Sequence, residues 1–229
     1  MRTFLILRLD GPMQAWGTHT FEDYRPSGLY PTRSGLLGLL GSCLGLERND
    51  LAEQQSLSAS VEFTVRVDSK RIGQDQEATV IESRKLLDFH TVMDARKVDG
   101  SVNKFPVVSS REYLYDAVFT VAIGSRDGAR FGLDQIAEVL RRPCYTPTLG
   151  RRSCPLTRPL FVSFCEADTA RIALSSFEPN EGLIYCEAEP SAQLLRARDV
   201  PLHGRKRQFG TRIVYLHQPE STSMETPCT

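Results

Sequence analysis

The octapeptide VEFTVRVD, Val61–Asp68, constrains the fold more than any other stretch of the chain. Val61, Phe63, Val65 and Val67 point one way, while Glu62, Thr64, Arg66 and Asp68 point the other, the two-residue period of a half-buried antiparallel strand. Such a strand needs neighbours along both edges and a covering layer over its apolar side. The flanking sequence supplies both. RTFLILRL, closed by DGP, reads as a buried strand ending in a turn, and a helix starts near Thr32 or Ser34, either of which can cap it. Downstream, REYLYDAVFTVAI reads as a strong strand and GSRDG as a turn. LDQIAEVLRR then places Leu133, Ile136, Ala137 and Leu140 on one helical face, and PLFVSFC closes the series as another strand. The order strand, helix, strand, insertion, strand, helix, strand predicts an α+β, ferredoxin-like antiparallel sheet with two helices on one face. The other sheet face is then expected to be open to a ligand.

The insertion covers residues 70–110, a charged segment of short alternating runs without a helical stripe, and is expected to form a β-hairpin. Past Cys165, residues 166–217 form a β-rich C-terminal extension divided by charge. Glu166 to Glu189 carries six acidic residues against Arg171, and Arg196 to Arg212 six basic residues against Asp199. Residues 218–229 read as a disordered tail. With 229 residues the chain fits a single domain, and Lys+Arg matches Asp+Glu at 28 each, so any preference for a charged partner must be local. The apolar run at the N-terminus is broken by Arg8 and Asp10, which marks a first strand rather than a signal peptide. Leu36 to Leu46 is about half the roughly 20 residues that cross a bilayer. A cytoplasmic protein with no membrane contact is the expectation. Six scattered cysteines without a CxxC pair, and four histidines off metal-ligand spacing, predict no metal and no cofactor.

Two segments concentrate positive charge. In YTPTLGRRSCPLTRP, Arg151, Arg152 and Arg158 follow Tyr145, with Arg141 and Arg142 just upstream, and Pro143, Pro147, Pro155 and Pro159 stiffen the run. Guanidinium groups fork onto phosphates and stack on bases, and a pre-stiffened loop loses little entropy when it engages a ligand. A solvated loop tip is the plainer alternative. RKRQFGTR, with Arg205, Lys206, Arg207 and Arg212, makes a second basic patch. Clusters of this kind in a neutral chain predict a localised nucleic-acid groove. The glycines of SGLLGLLGSCLG each cost the helix up to about 1 kcal/mol, so close packing is expected at Gly38, Gly41 and Gly45. Arg33 and the free amides after Thr32 form a candidate anion site, although no nucleotide P-loop is present. Nucleophile elbows and HExxH are absent. His90, with Asp88, Asp94 and Lys97 close in sequence, can be a general acid or base, or a plain strand histidine.

LILRLDGPMQAWG, RPSGLYPTRSGLLGLLGSCLGL, DFHTVMDARK, REYLYDAVFTVA and YTPTLGRRSCPLTRPLF resemble the CasD family of subunits of the type I-E CRISPR surveillance complex, Cascade. The resemblance runs from Met1 to about Phe164 and more loosely to Tyr215. It implies an RRM-like domain with a protruding hairpin, the thumb, that presses between guide and target. It also implies a non-enzymatic scaffold that caps the backbone filament, grips the 5′ handle of the guide RNA (crRNA), contacts the large PAM-reading subunit and touches target DNA indirectly. On that basis Arg25, Arg33 and Ser34 are expected to hold phosphates, His90 and Arg96 to sit at the thumb, and Tyr145, Arg151 and Arg152 to line the handle groove. Arg207 and Arg212 are expected to add charge. The alternatives are a metal-independent CRISPR repeat endoribonuclease using His90 and a module that only bridges proteins.

Overall fold

A computed structural model describes every residue except 21, 73–78, 82, 98, 204–207 and 219–229. The chain opens with β1 (Arg2–Asp10), then the two-residue strands β2 (Met13–Gln14) and β3 (Tyr24–Arg25), and enters α1 (Arg33–Leu44). Thr32 caps α1 by accepting the Gly35 N–H at 3.2 Å, and Gly45 ends it in the left-handed region at φ 77°. A helix not foreseen from the sequence, α2 (Leu51–Ser60), leads into β4 (Val61–Asp68). The insertion holds a small ladder of β5 (Lys70–Ile72) with β6 (Thr79–Ile81), followed by the long hairpin of β7 (Arg84–Val92) and β8 (Val107–Tyr115). Next come β9 (Val118–Ser125), α3 (Leu133–Arg141), β10 (Phe161–Ala167), the short α4 (Ala170–Ser175), β11 (Ile184–Cys186), β12 (Leu194–Leu202) and β13 (Gln208–His217).

The main sheet has seven strands in the order β10-β1-β9-β4-β11-β13-β12. Its first four strands are antiparallel, with helices in the two crossovers, which is the split β-α-β arrangement. Register decides which residues meet. Leu5, Leu7 and Leu9 lie opposite Ile123, Val121 and Phe119, which lie opposite Phe63, Val65 and Val67 of β4. This face packs under α1 and α3 through Leu36, Leu40, Ile136, Ala137 and Leu140. Among the described residues, no helix is long and apolar enough to cross a membrane.

Three expectations are corrected. The second sheet face is not open: Phe4, Ile6 and Ala122 are buried beneath Ala170, Ala173 and Leu174 of α4. Thr64, Arg66 and Asp68, the outward side of VEFTVRVD, are therefore buried. Arg66 is satisfied there by Asp68 Oδ1 at 2.6 Å and by the carbonyls of Leu174 and Phe177 at 2.6 and 2.7 Å, and Arg8 reaches Asp68 Oδ2 at 3.0 Å. Second, REYLYDAVFTVAI is two strands. Asp116, at φ 54°, breaks it, so β8 belongs to a separate four-stranded sheet with β7, β2 and β3. Third, the helix glycines divide. A Cβ on Gly45 would lie 2.8 Å from Cys144 Sγ, whereas one on Gly38 would meet nothing within 4 Å and one on Gly41 only Leu46 at 3.9 Å.

Candidate nucleic-acid interface

β7 and β8 pair from Arg84↔Tyr115 to Val92↔Val107, so alternate residues fall on two faces. One face carries Asp88 and His90 on β7, with Arg111 and Tyr113 on β8. His90 Nε2 lies 2.7 Å from Asp88 Oδ2 and 3.2 Å from the Tyr113 hydroxyl, which is 3.4 Å from Ser153 Oγ. Arg111 Nε donates to Ser109 Oγ at 3.1 Å. The opposite face exposes Leu87 and Phe89, and Met93 and Phe105 near the hairpin tip are also largely solvent-facing. Lys104 Nζ sits 5.7 Å from the centre of the Phe105 ring, and Arg96 is exposed beside them, bridging to Val102. An apolar, basic-edged hairpin tip that is uncovered among the described residues is surface of the kind that marks an interaction site.

Glu112 anchors the base of this hairpin. Its carboxylate accepts from Lys85 Nζ at 2.8 Å, from the Ser27 N–H at 2.9 Å and from the Tyr24 hydroxyl, tying β7 and the β3 segment to β8. Partial burial alone raises its pKa, but these donors outweigh that and bring it down to about 2.

The proline-rich segment is no solvated tip. Leu149 and Cys154 are fully buried, the Leu149 N–H donates to Cys154 O at 2.8 Å, and the Ala15 N–H donates to Leu149 O at 2.9 Å. Gly150 adopts φ 97°, and a Cβ there would lie 1.8 Å from Ala15 O, so the turn requires glycine. This anchoring separates the two adjacent arginines. Arg151 turns inward: it donates to Glu112 O at 2.9 Å and Arg25 O at 3.0 Å, and its guanidinium covers the Tyr113 ring at 4.7 Å. Arg152 stays exposed, next to the exposed Ser153.

The remaining sequence candidates are placed as follows. Arg25 is half-buried and folds its guanidinium back onto Glu22 O. Arg33, expected at a phosphate, is buried: it pairs with Glu187 and donates to Ser58 O at 2.7 Å and Val61 O at 3.1 Å. The anion expected at the start of α1 is Asp199 of the chain itself, whose Oδ2 accepts the Arg33 N–H at 2.7 Å. Ser34 is half-buried in the first turn of α1, its hydroxyl 3.5 Å from Thr32 Oγ1. Arg212 forks onto Asp199 at 2.7 and 2.8 Å and meets Glu187 Oε1 at 3.1 Å. Burial works against its charge, but these carboxylates outweigh that and raise its pKa. Tyr145 is exposed at the other end of α1, where its N–H donates to Ser42 O at 3.2 Å. A helix of 12 residues spans roughly 18 Å at the usual rise, which separates Tyr145 from the Arg33 end. Arg207 lies outside the described residues.

His90, Arg151 and Arg152 are thus brought together at the hairpin base, and Arg25 joins them through its carbonyl. Sequence reasoning missed Tyr113, Arg111, Phe89 and Phe105. Only Phe89 and Phe105 carried a signal, as bulky apolar residues inside a charged segment.

The comparisons agree with this architecture. A family model described as CRISPR-associated protein (Cas_Cas5) matches residues 4–215. The chain is 47% identical over 219 residues to the CRISPR system Cascade subunit CasD of Escherichia coli (strain K12), covering 94% of this chain and 96% of that protein. A solved chain of a CRISPR RNA-guided surveillance complex matches with TM-score 0.70 at 29% identity, over 94% of this chain and 90% of that one. A second structure, described as a Cas protein, matches with TM-score 0.62 at 25% identity, over 94% of both chains.

Proposed function

Because the chain belongs to the CRISPR-associated Cas5 family, we propose that it is a structural RNA-binding subunit of a type I-E RNA-guided surveillance complex. In this reading it caps the backbone filament, grips the 5′ handle of the guide RNA and adjoins the large PAM-reading subunit. The observation that carries it is the β7–β8 hairpin, whose exposed rings and cations have no partner layer among the described residues. Phe89 and Phe105 offer surfaces on which bases stack, while Arg152, Arg96 and Lys104 offer charge to the phosphate path. His90 and Tyr113 line the hairpin base and supply hydrogen bonds.

The test is binding of a synthetic 5′-handle RNA to the purified chain over a range of salt concentrations. Arg152→Ala is expected to lower the slope of log affinity against log salt by about one. Phe105→Ala is expected to weaken binding on the order of tenfold. Unchanged slope and affinity in both variants would overturn the assignment.

One observation favours a second reading. Asp88, His90, Tyr113 and Ser153 form a chain of acid and base groups beside Arg152, the equipment of a metal-independent repeat endoribonuclease. Incubation with repeat RNA in EDTA separates the two: the scaffold leaves the RNA intact, whereas site-specific cleavage lost in His90→Ala identifies the enzyme.

A further inference from the structure

A second concave surface lies away from the hairpin. Between the C-terminal half of α2 and the β12–β13 pair runs a groove of about 870 Å³, walled by Ala59 on one side and by Val200, Leu202 and Ile213 on the other. Its floor is a knot of charge. Arg33, Arg126 and Arg212 all converge on Glu187, Arg126 at 3.4 Å and Arg212 at 3.1 Å, and Arg212 also forks onto Asp199. Three guanidinium groups share two carboxylates, which leaves one positive charge. Geometry assigns that surplus to Arg126: Arg33 and Arg212 are largely buried and committed, whereas the Arg126 side chain is 42% exposed.

From this surface we infer that the groove is a protein-docking site that receives a polypeptide segment of a neighbouring subunit, one carboxylate meeting Arg126 and an apolar side chain lying on Leu202 and Ile213. Leu202 and Ile213 are 52% and 45% exposed, an apolar wall with nothing covering it among the described residues. A half-exposed guanidinium, held only by a long 3.4 Å contact to a carboxylate that two other arginines share, complements an Asp or Glu adjacent to a Leu, Ile or Phe when it stands beside an apolar wall, because the fork fits a carboxylate and the wall gains by excluding water. Nucleic acid fits poorly. Among the described residues no aromatic ring lines the groove to take a base, and two carboxylates on the floor oppose a polyanion carrying one charge per nucleotide. The inference rests on reading the chain as a subunit of a larger complex.

The test co-expresses the chain with the other subunits of the same CRISPR system and their guide RNA, and compares wild type with Arg126→Glu, Leu202→Asp and the double variant. Leu202 is solvent-facing, so Leu202→Asp is expected to melt within a degree or two of wild type, whereas Arg126→Glu sets a like charge near Glu187 and is expected to melt a few degrees lower while still folded. Retention of one protein subunit is expected to fall more than tenfold in the double variant, while affinity of the isolated chain for 5′-handle RNA stays unchanged. A photo-crosslinker at Ile213 is expected to capture a segment of that subunit containing Asp or Glu, and changing that acid to Arg is expected to restore binding to Arg126→Glu. A crosslink to RNA, loss of handle affinity, or full retention of every subunit by the double variant would overturn the docking site. Failure of the wild-type chain itself to co-purify with any subunit would instead overturn the reading of the chain as part of the complex, and the inference with it.

Discussion

Arg151 and Arg152 show how far apart two adjacent, identical residues can be in role. Arg151 supplies donors to two backbone carbonyls and covers Tyr113, so its loss leaves acceptors without partners; Arg152 makes no such commitment. Arg151→Ala is expected to destabilise the fold by roughly 2 kcal/mol, a lost pair of charge-assisted hydrogen bonds, read as a lowered midpoint in thermal or urea unfolding. Arg152→Ala is expected to unfold like wild type and to differ only in RNA binding. Equal effects of the two substitutions on stability would contradict the split. Arg33 belongs with Arg151: Arg33→Ala leaves the Ser58 and Val61 carbonyls without their donor and takes one of three arginines from buried Glu187, and is expected to cost about 2–3 kcal/mol, again measured by urea unfolding. Residue type announced that these groups are cations. Their neighbours across the fold, Glu112 and Arg25 in one case and Glu187 and Asp199 in the other, decide which of them still faces solvent, and those neighbours lie far away in sequence.

At the scale of elements, the hairpin depends on the Glu112 carboxylate, and this dependence has a definite pH signature. A carboxyl held at about 2 in the fold, against an ordinary value of 4.5, contributes stability that is complete above 4.5 and is lost as pH falls toward 2. Glu112→Gln has no such titration, so its deficit relative to wild type is expected to be constant near neutral pH and to shrink between pH 4.5 and 2. Thermal midpoints of both proteins across that range check it; a gap that widens on acidification would contradict the assignment. Long periodic elements were readable from pattern: β4, α1 and α3 stand where their periods put them. Elements of another kind were not. The six-residue α4 is too short to display a helical stripe, and the break at Asp116 is a single left-handed residue inside a continuous run of strand formers.

For the molecule as a whole, the consequential feature is a sheet whose central strands β1, β9 and β4 are buried on both faces. α4 closes the second face over a polar set, Arg66, Asp68, Thr120 and Arg8, which remains tolerable because each ion has a partner. Burial pushes the Asp68 carboxyl up in spite of its arginine neighbours. Arg66→Ala is expected to destabilise by about 3–5 kcal/mol, and the combination of Arg66→Met, Asp68→Leu and Arg8→Met by less, because the combined change removes all three ions together. Urea unfolding of the two variants measures the difference. Away from that closed face, the hairpin and the α2 groove each present exposed apolar side chains to a partner.

The order of the four core strands and their two crossover helices, the inward side of VEFTVRVD, the cap at Thr32 and the presence of a stiff cationic segment follow from local chemistry: side-chain period, capping groups and proline act over a few residues and can be read there. The engagement of each arginine, the covering of the second sheet face, the carboxylate of Asp199 at the start of α1 and the separation of Tyr145 from the hairpin base depend on long-range contacts. Such contacts bring together residues more than a hundred positions apart, as with Arg33 and Asp199, and they are set by the packing of whole layers and by the requirement that every buried charge find a partner.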